Sequence, residues 1–302
     1  MRTADFDYAL PPELVAQHPA LKRDEARLLV LERVSGKISH RRFGDLPEYM
    51  QAGDVLVLND SKVLPARLRG IKQPTGGAIE LLLLTEAAPN EWLVMLRPGK
   101  RVRAGTVVEL RTPTGEGTAF TATVLEKTDE GHCRVRFAGT PNILSVIDSL
   151  GELPLPPYIE REAGATRGED EARYQTVYAQ ALGSVAAPTA GLHYTQPVLA
   201  AIRARGVEVC FVTLHVGLGT FAPVKAERIE DHIMHSERFT LPAATALAVN
   251  RAKREGRRVM AGGTTSTRVL ESAAQMVGGP LTEMSGETRL FVHPPREFRV
   301  VD

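Results

Sequence analysis

The rhythm of hydrophobic and polar positions changes twice along this chain. Near the start, residues 11–17 carry a helix-like spacing, residues 27–32 read as a strand and residues 46–50 as a short helix. They lead into Asp54-Val55-Leu56-Val57-Leu58-Asn59, an apolar strand that ends in the polar cluster Asn59-Asp60-Ser61, suited to a turn or a strand-end site. From residue 66 to 138 the pattern becomes a series of short β-type runs at 66–71, 78–85, 92–96, 106–110, 120–126 and 133–137. Turn signals separate them: Pro74-Thr75-Gly76-Gly77, Pro98-Gly99, Pro113-Thr114-Gly115 and Asp129-Glu130-Gly131. Six short strands without a convincing helix predict a small closed barrel, and a helical stretch at 142–150 closes the module.

Beyond Gly151 helix and strand alternate again. A helix over 197–205, with proline near its start, feeds a strand at 207–212. A second helix, 243–255, stops at Gly256 before a strand at 258–261. That strand enters the turn Gly262-Gly263-Thr264-Thr265-Ser266-Thr267, followed by a helix over 268–276. The charged, glycine-containing stretch 161–173 reads as a mobile loop. The expected fold class is α/β: a mixed-sheet α/β main domain, residues 1–64 and 152–302, interrupted by an inserted small β-barrel domain, residues 65–151.

Composition narrows the class. The 302 residues, 43% hydrophobic and 24% charged, are those of a globular protein with one large domain or two ordinary ones. No apolar run approaches the ~20 residues that cross a bilayer, and Met1-Arg2-Thr3-Ala4-Asp5-Phe6-Asp7 lacks the apolar stretch of a signal peptide. Cys133 and Cys210 suggest no disulfide framework. A cytoplasmic location is expected. The net charge of +1 leaves a nucleic-acid partner open, so local patches matter more. Two stand out, Arg97-Pro98-Gly99-Lys100-Arg101-Val102-Arg103 and the run from Arg251 through Lys253, Arg254 and Arg257 to Arg258. Solvated surface is the simpler reading of both.

The chemistry concentrates in three histidine-bearing patches. They are Ala186-Ala187-Pro188-Thr189-Ala190-Gly191-Leu192-His193-Tyr194, Thr213-Leu214-His215-Val216-Gly217-Leu218-Gly219-Thr220-Phe221 and His232-Ile233-Met234-His235-Ser236-Glu237. They hold four of the chain's eight histidines beside glycine, hydroxyl or carboxylate, which suits proton transfer next to backbone that a ligand can approach. His215 falls at the end of a β-run, where ligands of open α/β sheets collect. Gly263 to Thr267 hands a strand over to a helix and could meet an anion, although it lacks the P-loop pattern and could equally be a well-capped helix start. Arg268 and Glu271, one turn apart on that helix, either pair on the surface or face the same pocket. His232 and His235 invite a metal reading, but neither a His-Glu-x-x-His pattern nor a cysteine ligand accompanies them. Cys210 reads as a buried strand cysteine.

Taken together, these motifs resemble the S-adenosylmethionine:tRNA ribosyltransferase-isomerase family of queuosine biosynthesis. The resemblance is carried by Asp5-Phe6-Asp7-Tyr8, Leu10-Pro11, Asn59-Asp60-Ser61-Lys62-Val63-Leu64-Pro65-Ala66-Arg67-Leu68, Leu155-Pro156-Pro157-Tyr158-Ile159 and Tyr174-Gln175-Thr176-Val177-Tyr178-Ala179. It continues through the histidine patches and Gly263-Thr264-Thr265-Ser266-Thr267-Arg268. Two segments differ: Pro294-Pro295-Arg296 stands where the family usually has Pro-Gly-Tyr, and after Asp302 the family continues with an Asn-Phe-His-Leu-Pro-type segment.

The resemblance implies transfer of the ribosyl group of S-adenosylmethionine to 7-aminomethyl-7-deazaguanine at the tRNA wobble position, giving epoxyqueuosine with release of adenine and methionine. It implies no metal and no cofactor, because S-adenosylmethionine is a consumed substrate; a monomer with no membrane partner is expected besides. His193, His215, His232, His235 and Glu237 are the expected catalytic residues, with His193 or His215 as base. Asn59, Asp60, Arg67, Tyr174, Thr189, Gly219, Thr220, Gly263, Thr264, Thr265, Ser266 and Arg268 are expected to bind substrate. Arg97, Lys100, Arg101 and Arg103 are expected to meet tRNA. The alternatives are a metal-dependent hydrolase using His215, His232 and His235, and a non-catalytic RNA-binding module.

Overall fold

The computed structural model describes residues 1–100, 102–128, 131–160, 167–221 and 224–302. Arg101, the Asp129-Glu130 part of an expected turn, and residues 161–166 of the expected loop lie outside the described residues. The chain forms two compact units, Met1–Lys62 with Gln175–Asp302, and Val63–Tyr174.

In chain order, β1 (Arg27–Leu31) and β2 (Ile38–Arg42) are followed by a 3-10 helix, Phe43–Tyr49, then β3 (Val55–Asn59) and β4 (Ser61–Val63). The six expected strands are all present as β5 (Arg67–Gln73), β6 (Gly77–Ala88), β7 (Glu91–Arg97), β8 (Val107–Arg111), β9 (Gly117–Lys127) and β10 (Cys133–Ala138). Then come α1 (Ile147–Leu150), β11 (Gly151–Glu152), α2 (Arg167–Arg173), β12 (Ala181–Ser184), α3 (Gln196–Ala204) and β13 (Glu208–Leu214). The chain continues with β14 (Glu237–Leu241), α4 (Ala243–Arg254), β15 (Val259–Gly262), α5 (Thr264–Val277) and β16 (Met284–Thr288).

In the second unit the strands run β11-β5-β6-β7-β10-β9-β8, and β8 pairs back onto β5, which closes a six-stranded antiparallel barrel. Every second residue points inward, as a barrel requires. Leu68, Leu81, Leu83, Val94, Val108, Leu110, Val124 and Val135 form its buried centre.

In the first unit five strands lie in the order β15-β3-β13-β14-β16, with β3 parallel to β13 and β15, and β14 antiparallel to β13 and β16. The apolar run of β3 follows from its central position. Val55 and Val57 pack with Val249, Val269 and Ala273 of α4 and α5 on one face. Leu56 and Leu58 pack with Val198, Leu199 and Ile202 of α3 on the other. A strand covered on both sides has no polar face to show.

Four sequence expectations need correction. Residues 11–17 make only one 3-10 turn, Pro12–Leu14, because the segment buries no apolar residue that would hold a longer helix. The described part of the expected loop at 161–173 is helix α2. The third helix starts at Thr264, not Arg268: Gly263 takes φ +94°, which ends the strand abruptly, and the threonines enter the first turn. Strands β14 and β16 extend the sheet although neither was anticipated.

Candidate active site

One end of the five-stranded sheet gathers the chemistry. The parallel register sets Asn59 beside Val212 and Leu58 beside Gly262, so the exits of β3, β13 and β15 lie at the same level. The antiparallel register brings the start of β14 and the end of β16 there too, with Glu237 opposite Thr288. Asn59 is fully buried and clamps the exit: its Nδ2 donates to the Leu214 carbonyl at 3.0 Å, and its Oδ1 accepts from the Leu214 amide at 3.0 Å and the Ser61 amide at 3.1 Å. This side chain extends the ladder past the last backbone pair and holds Asp60 in place. The expected role of Asn59 in substrate contact is therefore joined by a structural one.

Asp60 and His215 face each other electrostatically. The Thr213 hydroxyl donates to Asp60 Oδ1 at 2.6 Å. Burial raises the carboxyl pKa above its ordinary value, opposed by that hydrogen bond and by His215. Burial lowers the His215 pKa, with the Arg238 charge acting the same way and Asp60 opposing. The imidazole is thus held neutral, and its buried Nδ1 has no hydrogen-bond partner among the described residues. A neutral ring with a free ring nitrogen is the form a general base needs. Gly183 makes room for it: at φ +142° a Cβ there would lie 2.9 Å from His215 Nδ1 and 3.0 Å from Cε1.

The loop after His215 is pinned from two sides. The Val216 amide donates to Ser184 Oγ at 3.0 Å and the Gly217 amide to Glu237 Oε1 at 3.0 Å. The other oxygen of Glu237 pairs with Arg268 Nη1, and Arg268 Nε donates to the Leu290 carbonyl at 3.0 Å. Both side chains are largely buried, 6% and 11% exposed, and Arg268 Nη2 has no partner among the described residues. Arg268 and Glu271 therefore neither pair nor share a pocket: Glu271 turns to the amides of Arg299, Val300 and Val301. Next to this pair, the His235 ring lies against Gly219, where a Cβ would come within 2.2 Å of His235 Cδ2. Thr220 is exposed beside it. His232 packs edge-on against Phe291 at 5.1 Å between ring centres.

The first expected patch folds as a 3-10 helix, Thr189–His193. Gly191 is closely approached by Tyr178 and Thr176: a Cβ would fall 2.3 Å from the Tyr178 hydroxyl and 2.8 Å from Thr176 Cγ2. His193 Nδ1 lies 3.2 Å from the Ala190 carbonyl, so a proton on Nδ1 would donate there and leave Nε2 as acceptor. Thr189 is exposed. Gly263 meets the same segment, since a Cβ there would lie 2.9 Å from Ala190 Cβ. At the start of α5 the Ser266 and Thr267 hydroxyls bond back to the Gly262 and Gly263 carbonyls, at 3.2 and 3.1 Å. The first-turn amides of a helix have no intrahelical acceptor, and here no capping side chain serves them.

Sequence reasoning anticipated Thr265 but missed the hydroxyls of Ser61, Thr176 and Tyr178. Ser61 Oγ, Thr176 Oγ1, the Tyr178 hydroxyl and Thr265 Oγ1 are buried without a hydrogen-bond partner among the described residues. Burial, together with Tyr194 and the Asp60 charge, raises the Tyr178 pKa, so the phenol stays protonated as a donor. Each orphaned buried hydroxyl costs about 1–3 kcal/mol, and Thr176 and Tyr178 meet at Gly191, which makes them candidates for partners of a polar ligand. The run Tyr174-Gln175-Thr176-Val177-Tyr178, in which the sequence alone singles out Tyr174, carries both.

Other expected residues belong to the barrel unit. There Arg67 faces Glu80 at 3.9 Å and Tyr174 is buried. Arg97, Lys100 and Arg103 are exposed on the barrel, with no carboxylate partner among the described residues. The basic run 251–258 is largely neutralised: Arg251 pairs with Glu208, Lys253 with Asp302, Arg257 with Glu255 and Arg258 with Asp54. Among the described residues no three His, Cys, Asp or Glu side chains are arranged to hold a metal ion, so His215, His232 and His235 do not form the centre a metal-dependent hydrolase needs. Among them, too, no helix is long and apolar enough to cross a membrane.

A similar solved structure is the S-adenosylmethionine tRNA ribosyltransferase of Thermotoga maritima, 30% identical over 99% of this chain and 82% of that one, with a TM-score of 0.48. The family described as queuosine biosynthesis protein matches residues 3–302. With essentially its whole length matched, the chain belongs to the queuosine biosynthesis protein family.

Proposed function

We propose that this protein is an S-adenosylmethionine-dependent tRNA ribosyltransferase-isomerase. It moves the ribosyl group of S-adenosylmethionine onto 7-aminomethyl-7-deazaguanine at the tRNA wobble position, forms epoxyqueuosine and releases adenine and methionine. The observation that carries this reading is the family match over residues 3–302. The reaction requires a base at C5′, a proton for departing adenine and polar partners for the sugar hydroxyls. Each requirement has a candidate at the sheet end.

His215 is assigned the C5′ proton, because its ring is kept neutral and, with Nδ1 buried against Gly183, Nε2 is the nitrogen left to accept it. The positive sulfonium acidifies that C–H bond, which brings it within reach of an imidazole. His193, whose Nε2 is left as acceptor when Nδ1 donates to the Ala190 carbonyl, is the other candidate for this step. The Tyr178, Thr176 and Ser61 hydroxyls suit the ribose or the purine edge. The methionine carboxylate suits the first amides of α5 and Arg268 Nη2. His232, His235 and Glu237 remain candidates for proton delivery or hydroxyl binding, with Glu237 engaged in holding Arg268 and Gly217. Exposed Arg97, Lys100 and Arg103 are candidates for the tRNA backbone. The protein acts in the cytoplasm, where tRNA is modified, as a monomer and with no cofactor beyond the consumed S-adenosylmethionine.

The test is incubation with S-adenosylmethionine labelled in the ribose and tRNA carrying 7-aminomethyl-7-deazaguanine. Label in the RNA with stoichiometric free adenine is the expected result. Label that stays out of the RNA, with S-adenosylmethionine intact, refutes the reading.

A further inference from the structure

We infer that the hairpin formed by β1 and β2 is a docking surface for the sugar–phosphate backbone of the tRNA substrate. This rests on the proposed function and adds a second RNA contact, on the α/β unit itself. Residues 22–42 hold seven Lys and Arg against three Asp and Glu, a net +4 in a chain whose total is +1. The rest of the protein is therefore slightly acidic, and the hairpin is where an anionic polymer is attracted.

The pairing shows how the charge is displayed. Arg27 lies opposite Arg42, Leu29 opposite His40 and Leu31 opposite Ile38, so these six side chains share one face of a two-stranded sheet. All six are exposed. Two arginines set directly across from one another repel, an arrangement that folding alone does not favour. Arg27, Arg33 and Arg41 have no carboxylate partner among the described residues, whereas Lys22 and Lys37 pair with Glu25 and Glu32.

The hairpin is also continuous with the candidate active site. Just before it, Arg23 Nη1 donates to the Leu192 carbonyl at 2.8 Å, and Thr195 Oγ1 donates to Asp24 at 3.3 Å. Just after it, Phe43 packs on His193 at 5.3 Å and on Tyr194 at 4.9 Å between ring centres. A nucleotide reaching the His193 patch would leave its neighbouring phosphates beside these arginines. The aliphatic part of the face is too small to be a stable dimer contact. Leu29, Leu31 and Ile38, each just over half exposed, offer on the order of 200 Å² against the ~800 Å² that each partner of a stable dimer buries.

The experiment compares full-length wild type with Arg27→Ala/Arg33→Ala/Arg41→Ala, measuring affinity for tRNA carrying 7-aminomethyl-7-deazaguanine over a range of salt. The variant should bind at least tenfold more weakly at low salt. Its dependence of log K on log salt should be shallower by about 2–3, close to 0.9 for each lost phosphate contact. S-adenosylmethionine affinity and melting temperature should not change, because these side chains are exposed and outside the strand-end site. Unchanged tRNA affinity with an unchanged salt slope overturns the inference and leaves the proposed function intact. Wild type that binds no tRNA overturns both. A second variant, Leu29→Ser/Leu31→Ser/Ile38→Ser, separates the occupants: a loss of self-association by sedimentation with tRNA affinity intact assigns the face to a second copy and overturns the inference.

Discussion

Replacing Arg268 by alanine should damage the fold more than its position beside an active site suggests. The guanidinium is 11% exposed and the Glu237 carboxylate 6% exposed. Removing one partner of a buried pair leaves the other charge uncompensated, which costs about 3–5 kcal/mol. Glu237 would keep only the Gly217 amide, and the Leu290 carbonyl would lose its donor. For a unit of this size that corresponds to a fall in melting temperature of roughly 6–20 °C. Calorimetry on Arg268→Ala, Glu237→Gln and the double variant Arg268→Met/Glu237→Gln provides the test. The glutamine still accepts from Gly217, and the neutral pair leaves no stranded charge, so the double variant should recover at least half of the loss seen in Arg268→Ala. A single-variant cost under about 1 kcal/mol, the value of an exposed pair, would refute the reasoning. So would a double variant as unstable as Arg268→Ala.

Three further outcomes follow from the same geometry. Tyr178→Phe removes a buried hydroxyl that has no partner among the described residues; melting temperature should hold or rise while S-adenosylmethionine binding weakens about tenfold, a gain in stability at the expense of a site, and a clear fall in melting temperature with binding intact would instead give the hydroxyl a structural role. Gly183→Ala places a Cβ 2.9 Å from His215 Nδ1 at a backbone φ of +142°; turnover should fall by up to about 10²-fold, the cost of a misplaced base, and full turnover would remove His215 from the base role. The acid limb of kcat/KM should lie below the ordinary imidazole value of 6.5, because burial and Arg238 favour the neutral ring as pH falls. In Asp60→Asn that limb should move lower still, since Asp60 is the influence that raises it, and a limb that moves upward contradicts the pairing.

The barrel was legible in the sequence because its β-type runs follow one another without a helical pattern and most are separated by turns rich in glycine or proline. Such local signals survive without knowledge of the partner strand. The central strand was legible for the opposite reason: Val55 to Leu58 has no polar residue to confuse it. Strand β14 was not, because Glu237 and the histidines before it drew a chemical reading. Yet Glu237, Phe239 and Leu241 are its buried positions, with a carboxylate where an apolar residue was expected. Strand β16, Met284-Ser285-Gly286-Glu287-Thr288, has one apolar residue and is held by backbone pairing to β14, an interaction no local pattern announces. In the site, glycines and histidines were visible as types. The unpartnered hydroxyls were not, since Ser61, Thr176 and Tyr178 gain their meaning only from what fails to surround them.

The anchoring of residues 299–302 has a consequence for how the sheet avoids other chains. Glu271, with no exposed surface, accepts three consecutive amides, from Arg299, Val300 and Val301. One residue further on, the Asp302 amide donates to the Val259 carbonyl at 3.0 Å, and Asp302 Oδ2 accepts from the Val259 amide at 2.8 Å. Strand β15 is the outermost strand on its side of the sheet, and an outermost strand is a template for unwanted strand addition. Asp302 occupies the first position of that template with a side chain and a peptide group at once. A buried glutamate on α5 thereby guards the sheet's margin against aggregation. Losing its carboxylate is expected to release residues 299–301 and open the β15 edge to strand addition.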